Sequence, residues 1–185
     1  MHLGWRFGGI WSDLELHFGH NFDIFGALIA LILFFPLMLI IAGIIKLTSS
    51  GPSLYGQERM GLDGHTFNAL KFRSMHYDAE SETGAVWASE NDERRTKIGI
   101  FLRKYSLDEL PQLFNVLKGD MSIVGPRPHV FKEDLTYAKV FKTFLKRNKA
   151  APGLTGWAQV NGFRGKNVTS ANMKKRIEHD IWYMN

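Results

Sequence analysis

The longest uncharged stretch of the chain, Ile24 to Ile45, limits the possible folds more than any other part of the sequence. As a helix rising about 1.5 Å per residue it would be roughly 30 Å long, which is enough to cross the hydrocarbon core of a bilayer. Pro36 lies near its middle, where a proline removes a helical hydrogen bond and kinks the helix. The sequence therefore predicts a membrane-embedded helix over residues 22–46, either as a kinked span or as a helix that breaks at Pro36 and re-enters.

The sequence on either side of this helix divides the chain into further segments. Residues 1–21 contain several aromatic side chains among glycines, which is typical either of a segment at the lipid headgroup level or of a linker. Asp23 marks the expected headgroup level, because a carboxylate is costly in lipid. Lys46 weakly favours a cytoplasmic location for the part that follows it. Residues 47–185 have the composition of a globular domain that is large enough for its own core.

The composition excludes several kinds of functional site. The chain has 185 residues and no cysteine, which excludes disulfide frameworks, thiolate metal sites and cysteine nucleophiles. Lysine and arginine exceed aspartate and glutamate by 23 to 18, a mild excess that suits nucleic acid, an anionic membrane surface or phosphorylated substrates. The sequence contains no nucleic-acid-binding motif, Walker A loop or dinucleotide fingerprint. We therefore expect no nucleic-acid partner.

Two adjacent carboxylates, Asp108 and Glu109, stand at the start of an apolar series with helical spacing. Ser106 precedes them as an acceptable N-cap, and Pro111 is tolerated only early in a helix. Both carboxylates are thus predicted in the first helical turn, where the macrodipole favours negative charge, and Gly119 predicts the end of the helix. On this segment alone, ordinary decoration of a helix start is the simpler interpretation.

Two arginines flank the carboxylate pair and favour a chemical role instead. Arg127 lies in the turn Gly125-Pro126-Arg127-Pro128, where two prolines restrict the backbone and partly preorganise the guanidinium for a phosphate or a carboxylate. Arg103 precedes the pair. Such a group suits phosphoryl chemistry on a diphosphate, because the acids can hold a cation or attack phosphorus while the guanidinium groups take up the developing charge.

A β-hairpin is predicted upstream of the carboxylate pair. Residues 54–59 predict a short strand, Asp63-Gly64 is typical of a hairpin turn, and residues 67–75 predict the returning strand. Lys71 and Arg73 would share one strand face, which is either a solvated edge or a surface that faces phosphates. Residues 76–95 are polar and predict a long loop.

The C-terminal half predicts two helices separated by turns. Phe131 to Lys149 has the pattern of a basic amphipathic helix, with Arg147 on a charged side that faces either a membrane surface or solvent. Residues 151–165 are Gly-rich and predict turns, and Ser170 to Tyr183 predicts a final helix.

Several segments, in the same order, resemble the bacterial sugar transferases, also called monotopic phosphoglycosyl transferases. They are the apolar segment with its central proline, KFRSM, SLDELPQLFNVLKGDMSIVGPRP and PGLTGWAQVNGFRG. The resemblance covers residues 22–185 and is closest to the catalytic domains of undecaprenyl-phosphate glucose or galactose phosphotransferases. Such relatives usually carry a multi-span membrane region upstream and further helical sequence downstream. The chain is therefore expected to be a catalytic domain that ends early, or a short relative.

The resemblance implies an enzyme that transfers a sugar 1-phosphate from a UDP-sugar to polyprenyl phosphate, with Mg²⁺ as cofactor. It implies Asp108 as the nucleophile and magnesium ligand, and Glu109 as its partner with an acid/base or metal role. Lys71, Arg103, Arg127 and Arg164 match basic positions around the phosphates, and Arg73 is expected there because it shares the strand face of Lys71. Asp180 matches a functionally important acidic position, and Pro36 matches the break of a membrane helix that re-enters on the cytoplasmic face.

The implied architecture is α/β (α+β), with a re-entrant helix-break-helix in the membrane and a small cytoplasmic catalytic domain of short strands and amphipathic helices. The implied products are UMP and a polyprenyl diphosphate sugar, formed through a sugar-phosphoryl aspartate at the bacterial inner membrane in the first step of exopolysaccharide-type glycan assembly. Glucose or galactose is the favoured sugar. The alternatives are a membrane-anchored module that binds anions or lipid without catalysis, and a lipid-diphosphate phosphohydrolase.

Overall fold

The computed structural model describes residues 8–77, 79, 92–163 and 170–185, which form a mixture of helices and short strands, as predicted. The helices are α1 (Gly8–Thr48), α2 (Lys97–Lys104), α3 (Gln112–Lys118), α4 (Phe131–Val140), α5 (Trp157–Val160) and α6 (Ser170–Met184). The strands are β1 (Leu54–Met60), β2 (Thr66–Phe72), β3 (Ser122–Val124) and β4 (Gly153–Thr155). Short 3₁₀ turns cover Leu62–Gly64, Leu107–Glu109 and Phe144–Lys149.

The described strands form two small sheets. β1 and β2 pair antiparallel, from Leu54 opposite Phe72 to Met60 opposite Thr66, and β3 pairs with β4 in parallel. The β1–β2 connection contains Asp63 at φ 53° and Gly64 at φ 83°, the left-handed backbone that a tight turn requires. The predicted hairpin is therefore confirmed. The Gly-rich region predicted only as turns contains β4 and α5.

The helix α1 is longer than predicted. It begins at Gly8, so residues 8–21, predicted as a separate segment, are helical and continuous with the apolar run. A break at Pro36 is not confirmed, because α1 runs through this proline as one element. The part from His20 to Thr48 is long and apolar enough to cross a membrane by length and composition.

One side of α1 belongs to the hydrophobic core of the domain. Its buried side chains recur at helical spacing and are at most 8% exposed; they are Ala27, Leu31, Met38, Ile41 and Ile45. They pack with side chains of β2, α2, α3 and the residue before β3, namely Phe72, Leu102, Leu113, Val116 and Met121. The opposite side of α1 is apolar and open, with Phe22, Ile32 and Leu47 between 77% and 88% exposed. The helix therefore has a protein-facing side and a side that suits lipid.

Hydrogen bonds fix both ends of the apolar run to the same domain. Near its start, the Asp23 carboxylate accepts a hydrogen bond from the backbone N–H of Ile123 at 2.9 Å. At its end, the Arg73 guanidinium donates to the Ser49 carbonyl at 3.1 Å, to the Ser49 hydroxyl at 2.8 Å and to the Ser50 carbonyl. The apolar helix therefore lies along the domain between these two attachments.

The long basic helix predicted from Phe131 to Lys149 is wrong in its second half. α4 ends at Val140, and Phe141 has an extended backbone with φ −117° and ψ 102°. The following 3₁₀ turn buries Phe144 completely and leaves Arg147 only 2% exposed. Arg147, predicted on a charged outer side, is therefore inside the domain. The reason is an ion pair with a buried carboxylate of α6, which local periodicity cannot show.

Candidate active site

The two carboxylates lie in the 3₁₀ turn Leu107–Glu109, just before α3. They were predicted in the first turn of the helix itself, but α3 begins only at Gln112. It ends at Lys118 and is followed by Gly119, the predicted stop. Ser106 makes no capping hydrogen bond through its side chain and adopts φ 58°, which turns the chain sharply after α2. Successive side chains of a 3₁₀ turn are about 120° apart, so the two neighbouring carboxylates face different surroundings.

Glu109 is held by two cationic side chains. Its Oε1 accepts hydrogen bonds from Lys71 Nζ at 3.0 Å and from Arg127 Nη2 at 2.6 Å, and its Oε2 accepts one from Arg127 Nη1 at 3.1 Å. Burial alone would raise the pKa of Glu109, but Arg127 and Lys71 together hold that pKa far below its ordinary value. Glu109 is therefore ionised at neutral pH, and both of its oxygens are engaged by cations.

Asp108 has the opposite environment. It is 7% exposed, and within the described ranges no side chain forms a hydrogen bond or an ion pair with its carboxylate. Burial raises the pKa of Asp108, while the charges of Lys71 and Arg103 act in the opposite direction. Adjacent carboxyl groups whose pKa values are shifted apart are typical of sites that give them different roles. Asp108 can therefore engage a substrate atom without first losing a protein partner.

A contact between β2 and α3 positions Lys71. The buried amide of Asn115 in α3 accepts a hydrogen bond from Leu70 N–H at 2.9 Å and donates one to Asn68 O at 2.8 Å. It thus satisfies the edge of β2 as a neighbouring strand would, next to the residue that reaches Glu109. Asn115 was not predicted as part of the site. The sequence feature that could have indicated its role is a polar residue between two apolar residues of the predicted helix.

Each carbonyl oxygen of the Pro126–Pro128 turn is held by a donor from elsewhere in the chain. The pairs are Pro126 O with Gly153 N–H at 3.0 Å, Arg127 O with Arg147 Nη2 at 2.6 Å, and Pro128 O with Arg59 Nη1 at 3.2 Å. Because the two prolines have no N–H, these carbonyls are the main hydrogen-bonding groups of the turn. The turn therefore presents Arg127 to Glu109 in a fixed direction.

Of the other basic residues predicted around phosphates, one joins the site and one does not. Arg103 donates from Nε to Ser74 Oγ at 2.7 Å, and its charge acts on Asp108. Arg73 instead donates its hydrogen bonds to the end of α1. The structure does not bring it to the carboxylate pair.

In the described part of the chain, no hydrogen bond or ion pair joins Asp180 or Pro36 to the carboxylate pair. Asp180 is 2% exposed and forms an ion pair with Arg147 at 2.8 Å, behind the turn that carries Arg127. Pro36 lies within α1. Arg164 and most of the loop predicted over residues 76–95 fall outside the described residues.

The arrangement suits a substrate with several negative charges. An open depression beside Glu109 is lined by Arg59, Lys71, Gln112 and Arg127. Within the described part of the site, the cationic side chains of Arg59, Lys71, Arg103 and Arg127 outnumber the two carboxylates. Such an excess of positive charge favours phosphate groups.

The donor atoms also suit one kind of metal ion. The described residues contain no group of three or more metal-binding side chains. Mg²⁺ does not require one, because it commonly binds through one or two carboxylates together with substrate phosphates and water. Asp108 is a carboxylate of this kind, whereas the oxygens of Glu109 already contact cations.

The chain is similar in sequence to known proteins. A family model described as bacterial sugar transferase matches residues 15–185. The UDP-glucose:undecaprenyl-phosphate glucose-1-phosphate transferase of Xanthomonas campestris pv. campestris is 50% identical over 85% of this chain and 33% of its own length. The protein of the same name from Klebsiella pneumoniae is 47% identical over 94% and 37%. The UDP-N-acetylgalactosamine-undecaprenyl-phosphate N-acetylgalactosaminephosphotransferase of Aeromonas hydrophila is 43% identical over 94% and 40%. The chain thus spans between about a third and two fifths of the length of these relatives.

Proposed function

The chain belongs to the bacterial sugar transferase family, and on that premise we propose that it transfers a sugar 1-phosphate from a UDP-sugar to polyprenyl phosphate and releases UMP. The observation that carries the proposal is the division between the two neighbouring carboxylates. Glu109 is neutralised by Lys71 and Arg127, while Asp108 has no side-chain partner in the described residues. A diphosphate bound among the cations would bring its phosphorus to Asp108.

In the first proposed step, an oxygen of the Asp108 carboxylate attacks the sugar-linked phosphorus of the donor. A P–O bond to Asp108 forms while the P–O bond to UMP breaks, and UMP leaves with the electron pair. Asp108 must be ionised for this attack, and the charges of Lys71 and Arg103 favour ionisation against the burial that raises its pKa. The cationic side chains also stabilise the negative charge that develops on the transferred group.

In the second proposed step, a phosphate oxygen of polyprenyl phosphate attacks the same phosphorus. A new P–O bond gives the polyprenyl diphosphate sugar, and the bond to Asp108 breaks, which restores the carboxylate. Two displacements let one side chain serve a soluble and a lipid substrate in turn. We assign Glu109 to the positioning of Lys71 and Arg127, because its engaged oxygens are poorly placed to move a proton.

Mg²⁺ fits this mechanism with Asp108 as its protein ligand. The fit depends on the carboxylate itself, which has no side-chain partner within the described ranges and lies among cations that bind phosphates. When bound, the ion neutralises diphosphate oxygens and supports the departure of UMP.

UMP release tests the proposed function. Purified protein would be incubated with Mg²⁺, undecaprenyl phosphate and either UDP-glucose, UDP-galactose or UDP-N-acetylgalactosamine. We expect UDP-glucose to be the best donor, because two of the relatives above are named for it. UMP should form catalytically only when the lipid acceptor is present. Donor binding without UMP release would indicate an anion-binding module, and free sugar phosphate as the main product would indicate a hydrolase; either result contradicts the proposal.

We further propose that both ends of the apolar run of α1 remain at the cytoplasmic face of the membrane. The ends of its apolar run bond to one domain through Asp23 and Ser49, and the buried side from Ala27 to Ile45 follows that domain for roughly 27 Å. A helix that crossed the bilayer would have to carry the polar domain through the hydrocarbon core. The exposed apolar side would face lipid instead, as in a re-entrant or in-plane helix.

Labelling of single cysteines tests this arrangement. The chain contains no cysteine, so Asn21→Cys and Ser50→Cys, at exposed positions beyond each end of the apolar run, each provide one reactive thiol. A membrane-impermeant maleimide should label neither variant in intact cells and both variants in inverted membrane vesicles. Labelling of only one of the two positions in intact cells would show that α1 crosses the membrane.

A further inference from the structure

A buried polar cluster lies behind the turn that carries Arg127. Its centre is Arg147, whose guanidinium contacts three groups at once. Nε and Nη2 lie 2.9 and 2.8 Å from the Asp180 carboxylate, and Nη1 lies 2.7 Å from His129 Nδ1. Nη2 also donates to the backbone carbonyl of Arg127 at 2.6 Å. Arg147 is thus tied both to α6 and to the active-site turn.

The surroundings of Arg147 hold its guanidinium firmly. A buried charge is costly unless it is paired, and Asp180 supplies the opposite charge, with both side chains only 2% exposed. The ring of Phe144 lies 5.2 Å from the guanidinium carbon. On its other ring nitrogen, His129 is contacted by Arg176 of α6 at 3.0 Å. These contacts hold Arg147 in one position. Arg147 can therefore hold the backbone carbonyl of Arg127 in place.

We propose that Arg147, held by Asp180, is a positioning residue that sets Arg127 on Glu109; this inference rests on the proposed function. The contacts run from Asp180 through Arg147 to the backbone of Arg127, and from the guanidinium of Arg127 to Glu109. The role of Asp180 is then indirect, through the position of Arg127. A shift of about 1 Å in a catalytic group can cost about 100-fold in rate.

Lysine at position 147 would keep the charge and lose the positioning. An ammonium group has a single nitrogen on a flexible stem, whereas the planar guanidinium presents donors in fixed directions. It therefore cannot hold Asp180, His129 and the Arg127 carbonyl together. We expect Arg147→Lys to lower the rate of UMP release by about 100-fold.

A double-mutant cycle separates positioning from a general structural role. UMP release would be measured for the wild type, Arg127→Lys, Arg147→Lys and the double variant. If Arg147 acts through Arg127, the double variant should be as slow as Arg127→Lys alone, within about twofold. If the two losses multiply, Arg147 acts independently of Arg127 and the inference is overturned.

Further variants show whether a slow rate in the double-mutant cycle results from misfolding. Lys149→Met is the matched control, because Lys149 lies in the same 3₁₀ turn but pairs with Asp63 at the surface, 76% exposed, and should keep the wild-type rate. If Arg147→Lys does not fold, Asp180→Asn takes its place, since it removes the opposite charge and keeps the shape; the same non-additivity with Arg127→Lys is expected. A wild type that releases no UMP contradicts the proposed function, whereas an active wild type with multiplicative losses contradicts this inference alone.

Discussion

Replacement of Asp108 by asparagine is expected to lower UMP release by about 10⁴-fold or more, because the loss of a nucleophile costs the covalent step itself. Asparagine has nearly the same shape but an amide that does not attack phosphorus. Mass spectrometry gives a second measurement. With donor and no lipid acceptor, the wild type should gain the mass of a sugar phosphate on Asp108, and Asp108→Asn should gain none.

Asp108→Asn is also expected to change the thermal stability of the protein. Burial raises the pKa of Asp108 in the folded protein. The protonated carboxyl group therefore stabilises the fold at pH values below the ordinary aspartate pKa, and this stabilisation is lost as the pH rises through the higher folded-state pKa. Without substrate or metal, Asp108→Asn should therefore unfold at the same temperature as the wild type or higher at neutral pH. Asp63→Asn makes the same chemical change at a carboxylate that is 52% exposed and is the control for activity. Unimpaired adduct formation in Asp108→Asn would refute the assignment.

Replacement of Glu109 by glutamine is expected to reduce both stability and rate. The change leaves Lys71 and Arg127 without the carboxylate that both contact at 3.0 Å or less. Removal of one partner from a buried ion pair costs about 3–5 kcal/mol in the free energy of unfolding. Loss of the bidentate contact also frees Arg127, which should slow UMP release by about 100-fold. Denaturant unfolding and the UMP assay measure the two effects separately.

The stability effect of Glu109→Gln should depend on pH in a defined direction. The pKa of Glu109 is held far below its ordinary value in the folded protein. The ionised carboxylate therefore stabilises the fold fully at pH values above the pKa of glutamate in the unfolded chain, about 4.3. This stabilisation is lost as the pH falls through the lower folded-state pKa. The difference from the wild type should therefore be full at neutral pH and shrink below about pH 4. Glu58→Gln, at an exposed strand position, is the control. A difference that stays constant under acid conditions would argue against the ion-pair assignment.

The parts of the fold that could be predicted have local signals. The turn at Asp63-Gly64 and the end of α3 at Gly119 both need left-handed backbone, with φ between 53° and 83°, and their sequences indicate it. The burial of Arg147 has no such signal. Its partner Asp180 lies 33 residues further along the chain, and a segment rich in lysine and arginine is typical of a surface.

For the candidate site, the sequence predicted residues but not how they are arranged. The adjacent carboxylates and the arginines on both sides of them predicted a site at Asp108 and Glu109, and the resemblance implied their roles. The unequal environments of the two carboxylates arise from Lys71, 38 residues before Glu109, and Arg127, 18 residues after it. Such long-range pairs depend on how β2, α3 and the Pro126–Pro128 turn pack together. Local patterns in a single sequence do not reveal that packing.

Deletion of the apolar helix would be a poor route to a water-soluble form of this protein. Ala27, Ile41 and Ile45 form one wall of the interior against which Leu102 and Val116 rest, so a shortened protein would leave that wall open to water and should aggregate. One side of the helix is exposed and suits lipid, and the other side belongs to the protein interior. Detergent or lipid choice should consequently affect not only attachment to the membrane but also the integrity of the folded domain.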